Sequence, residues 1–97
     1  MYRFEIICLS FENGSFRFRQ EFLVSDLTGL ETSTIACSLS NTCMVRGIPK
    51  ATFKVSITDN QAGYRSHITG EKMSTSYEWV LTLLESAVNE HFAVMQC

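Results

Sequence analysis

Alternating apolar and polar residues on either side of a turn signal predict a β-hairpin near the start of the chain. The turn is Asn13-Gly14, the strongest two-residue hairpin signal, because both central positions of a type I′ turn need positive φ. Counting outward from this turn sets the register and gives one almost wholly apolar face. The predicted cross-strand pairs are Phe11 with Phe16, Leu9 with Phe18, Ile7 with Gln20 and Glu5 with Phe22.

The second half of this hairpin, Phe16-Arg17-Phe18-Arg19, mixes aromatic and basic residues as some single-strand-binding surfaces do. Such surfaces need the rings and the cations on one accessible side. Neighbouring residues of a strand point to opposite faces, so this segment separates them. The alternation therefore favours a half-buried hairpin over a nucleic-acid stripe.

A second alternating segment predicts two further strands in the middle of the chain. Ile35, Cys37 and Leu39 would share one face of a strand. The polar segment 40–42 predicts a turn, and residues 43–46 would return as the partner strand.

A second hairpin is predicted after Pro49. Residues 51–58 place Phe53, Val55 and Ile57 on one side of a strand. A loop over residues 60–63 matches the apolar faces of this strand and the next. It places Tyr64, Ser66 and Ile68 beside Ile57, Val55 and Phe53. The same register gathers three basic side chains on the outer face, those of Lys54, Arg65 and His67.

The C-terminal segment changes to helical periodicity. Thr75 and Glu78 fit a capping box, which predicts a helix over residues 76–95. Its apolar stripe should cover the sheet. The predicted stripe contains Tyr77, Val80, Leu81, Leu84, Val88, His91, Phe92 and Met95. Trp79 and Leu83 fall on the opposite side of the helix. They are predicted either as an exposed docking pair or, as the alternative, as side chains that a groove or a loop covers.

Together these elements predict an α+β fold in a single domain, 1–97. Its antiparallel sheet would have about five or six strands arranged as successive hairpins. One long C-terminal helix would pack on one face of the sheet.

Composition narrows the classes of protein that this fold could serve. With 97 residues, 45% of them hydrophobic, the chain suffices for one core. A net charge of −2 provides no overall field that would recruit nucleic acid or an anionic membrane. No apolar run reaches the roughly 18 residues needed to span a bilayer, and no cleavage signal precedes the first strand. We therefore expect a cytoplasmic protein with free thiols at Cys8, Cys37, Cys43 and Cys97.

Candidate chemistry is sparse. His67 and His91 stand outside any spacing that places two metal ligands together, and no nucleotide-binding glycine motif is present. Cys37 and Cys43 could bind zinc with a histidine, but their separation exceeds the usual structural pattern. We expect no enzyme, no cofactor and no metal. An enzyme that uses a cysteine thiol or a zinc ion is therefore only the third functional hypothesis, after the two that follow.

The leading functional hypothesis is a non-enzymatic protein-binding module. Trp79 and Leu83 would anchor the partner, because aromatic residues dominate interface energetics. Glu78, Glu85 and Glu90 would form the acidic surroundings and could imitate a phosphate backbone. Size and the absence of motifs suggest an inhibitor encoded by a phage or mobile element that blocks a bacterial defence complex.

The alternative hypothesis is binding of RNA or single-stranded DNA by the basic side of the second hairpin. Residues 46–72 form the basic segment of the chain. The side chains that would contact phosphate are those of Arg46, Lys50, Lys54, Arg65 and His67.

Overall fold

The fold was obtained as a computed structural model, which describes residues 1–10, 17–59 and 68–96. The elements are β1 (Tyr2–Ser10), β2 (Arg17–Val24), α1 (Gly29–Val45), β3 (Ala51–Asp59), β4 (Ile68–Met73) and α2 (Tyr77–Met95). The strands form one antiparallel sheet in the order β2-β1-β3-β4. The predicted α+β class and the C-terminal helix are confirmed. The described residues form four strands rather than five or six, and two helices rather than one.

The helix α1 occupies the segment for which two strands and a turn were predicted, so that prediction is wrong. The Thr28 hydroxyl caps the helix by accepting a hydrogen bond from the Glu31 backbone N–H at 3.3 Å. Cys37, predicted to share one strand face with Ile35 and Leu39, is exposed, whereas those two residues are buried. The buried residues of α1 instead recur at helical spacing: Thr32, Ile35, Ala36, Leu39 and Cys43.

The core lies between the two helices and one face of the sheet. The central strands supply its largest side chains, and all of them are buried: Phe4, Ile6 and Cys8 from β1, and Phe53, Val55 and Ile57 from β3. The helix α1 meets this face where Cys43 Sγ lies 3.9 Å from Cys8 Sγ. The helix α2 packs on β3, on β4 and against α1. The opposite face of the sheet carries no helix among the described elements.

The first hairpin is present, but its register differs by one residue from the prediction. Phe18 lies opposite Cys8 and Gln20 opposite Ile6, rather than opposite Leu9 and Ile7. A one-residue shift exchanges the faces of a strand. The helices therefore cover the even-numbered side chains of β1, and Leu9 is half-buried on the open face. The predicted turn at residues 13 and 14 lies outside the described residues.

In the second hairpin the strand β3 is confirmed, and its apolar face points to the core as predicted. The pairing with β4 differs, because Ile68 lies opposite Ile57 rather than Phe53. Lys54 consequently faces Glu71, and Lys54 Nζ lies 3.3 Å from Glu71 Oε1. The predicted loop and residues 64–67 lie outside the described residues.

The helix α2 begins one residue later than predicted and is rotated about its axis. Ser76, not Thr75, is the N-cap, and its hydroxyl accepts a hydrogen bond from the Trp79 backbone N–H. The Thr75 hydroxyl instead donates to the Pro49 carbonyl at 2.8 Å. The buried residues are Val80, Leu83, Leu84, Ala87, Val88 and His91. Compared with the predicted stripe, the buried side includes Leu83, while Tyr77 and Phe92 are exposed.

Leucine substitutions in α1 test its buried face. We expect Leu39→Ala to lower the free energy of unfolding by about 2–5 kcal/mol, because it leaves a cavity in the core. Leu30→Ala is the matched control in the same helix, since Leu30 is 78% exposed, and its effect should stay within about 0.5 kcal/mol. Urea unfolding measures both values. Equal effects of the two substitutions would contradict this orientation of α1.

Candidate partner-binding site

Trp79 is exposed near the start of α2, as the docking hypothesis requires. Its side chain retains 53% of its accessible surface. Lys72 Nζ lies 5.8 Å from the centroid of the Trp79 ring, within range of a cation–π contact. A shallow cavity of about 220 Å³ borders the ring and is lined by Lys72, Glu78, Trp79 and Thr82. The indole is therefore held at the surface with a cation over it and a carboxylate beside it.

Leu83 does not accompany Trp79 at the surface, so the predicted exposed pair is wrong. Its side chain is only 2% exposed. It lies over the strand β4, where a Cβ added to Gly70 would sit 3.4 Å from Leu83 Cδ1. The glycine leaves room for the leucine, and the packing of α2 against both β4 and α1 turns Leu83 inward.

The three acidic residues predicted with Trp79 are all exposed, but they are spread along α2. Glu78 lines the cavity beside Trp79. Glu85 lines a different cavity of about 260 Å³, beside the start of α1. Glu90 follows Trp79 by about 16 Å along the axis at 1.5 Å per residue. Only Glu78 therefore belongs to the immediate surroundings of Trp79.

The acidic residues of α2 differ in their partners from three glutamates of the sheet. Ion pairs within the described residues engage Glu5, Glu21 and Glu71, all on the sheet. No such pair involves Glu78, Glu85 or Glu90 in these parts of the chain. The exposed side of α2 therefore carries carboxylates without an ion pair among the described residues, which favours contact with basic groups.

A groove of about 610 Å³ lies between the end of α1 and the start of α2. It is lined by Ser40, Asn41, Met44, Gly47, Ile48, Pro49, Thr75, Ser76 and Tyr77. Gly47 allows the turn after α1, since its φ is 70°. The groove combines apolar walls with hydroxyl and amide groups, a mixture typical of binding clefts. The sequence interpretation missed it because residues 40–46 were predicted as a turn and a strand.

Exposed apolar side chains accumulate at this end of the molecule, which we call the groove end. Met44 is 71% exposed and Tyr77 is 38% exposed, and both line the groove. Trp79 follows Tyr77 within the first turn of α2, and the exposed Met73 ends β4 just before it. Exposed apolar side chains that gather at one end of a molecule, rather than lying singly, are typical of interaction sites.

The basic residues of the alternative hypothesis are not gathered on one face. The Arg46 guanidinium lies 4.9 Å from the centroid of the Phe18 ring, on the helix side of the sheet. Lys54 lies on the open side and is paired with Glu71. Lys50 is exposed in the connection before β3. Arg65 and His67 lie outside the described residues.

The cysteines are divided between the core and the surface. Contact with the Cys43 thiol and burial raise the pKa of the Cys8 thiol. Cys37 is exposed and its sulfur accepts a hydrogen bond from Asn41 Nδ2 at 3.6 Å. The Cys37 side chain therefore lies at the surface, whereas that of Cys43 lies in the core. In the described parts of the chain, no three potential metal ligands come together.

His91 is a core histidine, as the sequence suggested. It is 1% exposed, and its ring meets that of Tyr2 edge-on at 5.8 Å. Burial lowers the pKa of His91 below its ordinary value, and the nearby Asp59 carboxylate partly opposes this shift. The folded protein thus favours the neutral imidazole.

Comparisons with known proteins add no relative to these observations. A scan against protein-family models finds no match, and searches of curated proteins and of solved structures find none either. Among the described residues, no helix has both the length and the apolar character needed to cross a membrane. Any statement about function therefore depends on the residues described above.

Thiol reactivity tests the division of the cysteines. In a Cys97→Ser background, we expect iodoacetamide to modify Cys37 readily and Cys8 and Cys43 at least about 100-fold more slowly, because their sulfurs are buried. Peptide mass spectrometry over time gives the rates, and the urea-unfolded protein is the control. Similar rates for Cys37 and Cys43 in the folded protein would contradict the helical assignment of residues 29–45.

The stability of the protein should depend on His91 below neutral pH. Since the pKa of His91 is lower in the folded than in the unfolded chain, the unfolded state binds more protons as the pH falls below 6.5. We expect the free energy of unfolding to decrease over this range, and less steeply in the His91→Gln variant. Urea unfolding between about pH 8 and about pH 5 measures the difference. Parallel curves for the two proteins would contradict a buried neutral imidazole.

Proposed function

We propose that this chain is a small non-enzymatic protein-binding module that docks its partner through the groove end. The observation that carries the proposal is the half-exposed Trp79 in the first turn of α2, the end of the helix that also borders an apolar groove. Tryptophan is enriched among the residues that contribute most to interface affinity. Around it, Met44 and Tyr77 supply apolar contact area, and Glu78 supplies charge.

The groove end suits a partner that presents an apolar anchor and a basic side chain. The anchor would enter the groove between α1 and α2, against Met44 and Ile48. Hydroxyl groups of Thr75 and Ser76 on the groove wall could orient a polar backbone. A basic side chain would approach Glu78, where no cation of the described residues forms an ion pair.

The histidine and cysteine environments support a non-enzymatic role. His91 lies in the core beside Tyr2, and the Cys8 and Cys43 sulfurs face each other beneath α1. The narrower hypothesis, a phage or mobile-element inhibitor of a nucleic-acid-binding defence complex, adds one requirement. The partner surface must then be basic along the whole acidic side of α2, from Glu78 to Glu90.

An affinity pull-down from lysate of the source organism, with and without nuclease, tests the proposal. We expect a stoichiometric protein that survives nuclease. Trp79→Ala should weaken its binding by about 30-fold or more, as for an interface residue worth about 2 kcal/mol. Phe92→Ala is the matched control, because Phe92 is an exposed aromatic residue near the other end of α2. The Phe92→Ala variant should bind the partner as tightly as wild type.

Charge reversals separate the versions of this proposal. Glu78→Lys should weaken binding, whereas Glu90→Lys should matter only if the partner follows the acidic side of α2. The pull-down could instead recover nucleic acid, and the Trp79→Ala variant could bind it as well as wild type. That result would overturn the proposal in favour of binding by the basic segment. Binding by that segment would decline steeply with salt and with Lys54→Glu.

A further inference from the structure

The strand β2 is an edge of the sheet, and its sequence is complementary to itself. Among the described strands, β2 has a neighbour only on its β1 side. An edge strand presents backbone N–H and C=O groups that can pair with another chain. We propose that β2 pairs antiparallel with β2 of a second copy, centred on Gln20, and so joins two sheets into one of eight strands.

Charge selects this register. In an antiparallel pair centred on Gln20, Arg19 of each copy lies opposite Glu21 of the other. Centring the pair one residue earlier places Arg19 opposite Arg19, and one residue later places Glu21 opposite Glu21. Like charges directly opposite each other are destabilising, and of these three registers only the one centred on Gln20 contains no like-charge pair.

The apolar side chains agree with the same register. Phe18 and Phe22 of the two copies would lie opposite each other on the helix-covered face. Both residues are half-buried in the single chain and pack against the core. Because even-numbered residues pair with even-numbered ones, the helices of both copies stay on one side of the joined sheet.

Gln20 itself provides an independent observation. Its side-chain oxygen is buried and has no hydrogen-bond partner among the described residues. A buried polar atom without a partner is costly. At the centre of the pair, Gln20 of one copy meets Gln20 of the other. Rotation about the side-chain torsions that turns the whole amide toward the partner lets each amide donate to the other.

Two single charge reversals test the register without a foreign ligand. Arg19→Glu leaves acidic groups at both positions 19 and 21, and Glu21→Arg leaves basic groups at both. Each variant alone should dimerise about tenfold more weakly than wild type, because like charges face each other. An equal mixture should recover the affinity as a heterodimer, since every facing pair is then opposite in charge. Analytical ultracentrifugation from micromolar to millimolar concentration measures this, and circular dichroism confirms that each variant folds.

Cysteine cross-linking gives a second readout of the same register. In a Cys37→Ser, Cys97→Ser background, Gln20→Cys should form a disulfide between copies, because facing Cα atoms of a strand pair lie within disulfide range. Leu23→Cys is the control, since its counterpart would be about 20 Å away. A protein that stays monomeric at every concentration overturns the proposal. So does a dimer that neither charge reversal weakens.

Discussion

The pairing of β1 with β3 at the centre of the sheet is the interaction on which the rest of the structure depends. Residues 1–45 and 51–95 each contain two strands followed by a helix, and this pair joins them. Phe4 faces Ile57, Ile6 faces Val55 and Cys8 faces Phe53, all of them buried. An isolated two-stranded hairpin is marginally stable in water. Each half therefore needs the other to complete a sheet wide enough to carry two helices.

The elements that could be predicted from the sequence are those in which apolar and polar residues alternate with a clear period. The strand β3 and the helix α2 have clear periods, and both exist as predicted. The helix α1 was missed because small or weakly polar residues occupy much of its buried face, including Thr32, Ala36 and Cys43. The informative signal was local: Thr28 followed by Glu31 is a helix N-terminus pattern, and Thr28 does cap α1.

The remaining errors concern the register of the first hairpin and the burial of residues on α2. Both depend on neighbouring elements, which the pattern of one strand or helix does not reveal. In β1 both faces are apolar, since Ile7 and Leu9 alternate with Ile6 and Cys8, so only the turn signal could choose the register. The pattern of α2 alone left open whether Trp79 and Leu83 are exposed. The burial of Leu83 depends on the presence of α1 beside α2 and on the room above Gly70. The groove could not be predicted once α1 had been missed.

The two proposed surfaces lie at different places in the fold and do not compete. The helix α2 packs on β3 and β4, whereas the proposed dimer joins the opposite edge of the sheet at β2. Pairing at β2 would therefore leave both copies of Trp79 accessible, one in each half of the joined sheet. A dimer with two equal docking sites binds a repeated partner more tightly than either site alone, because the second contact is intramolecular. The edge pairing would thus raise the affinity of the groove end for an oligomeric partner without altering the groove itself.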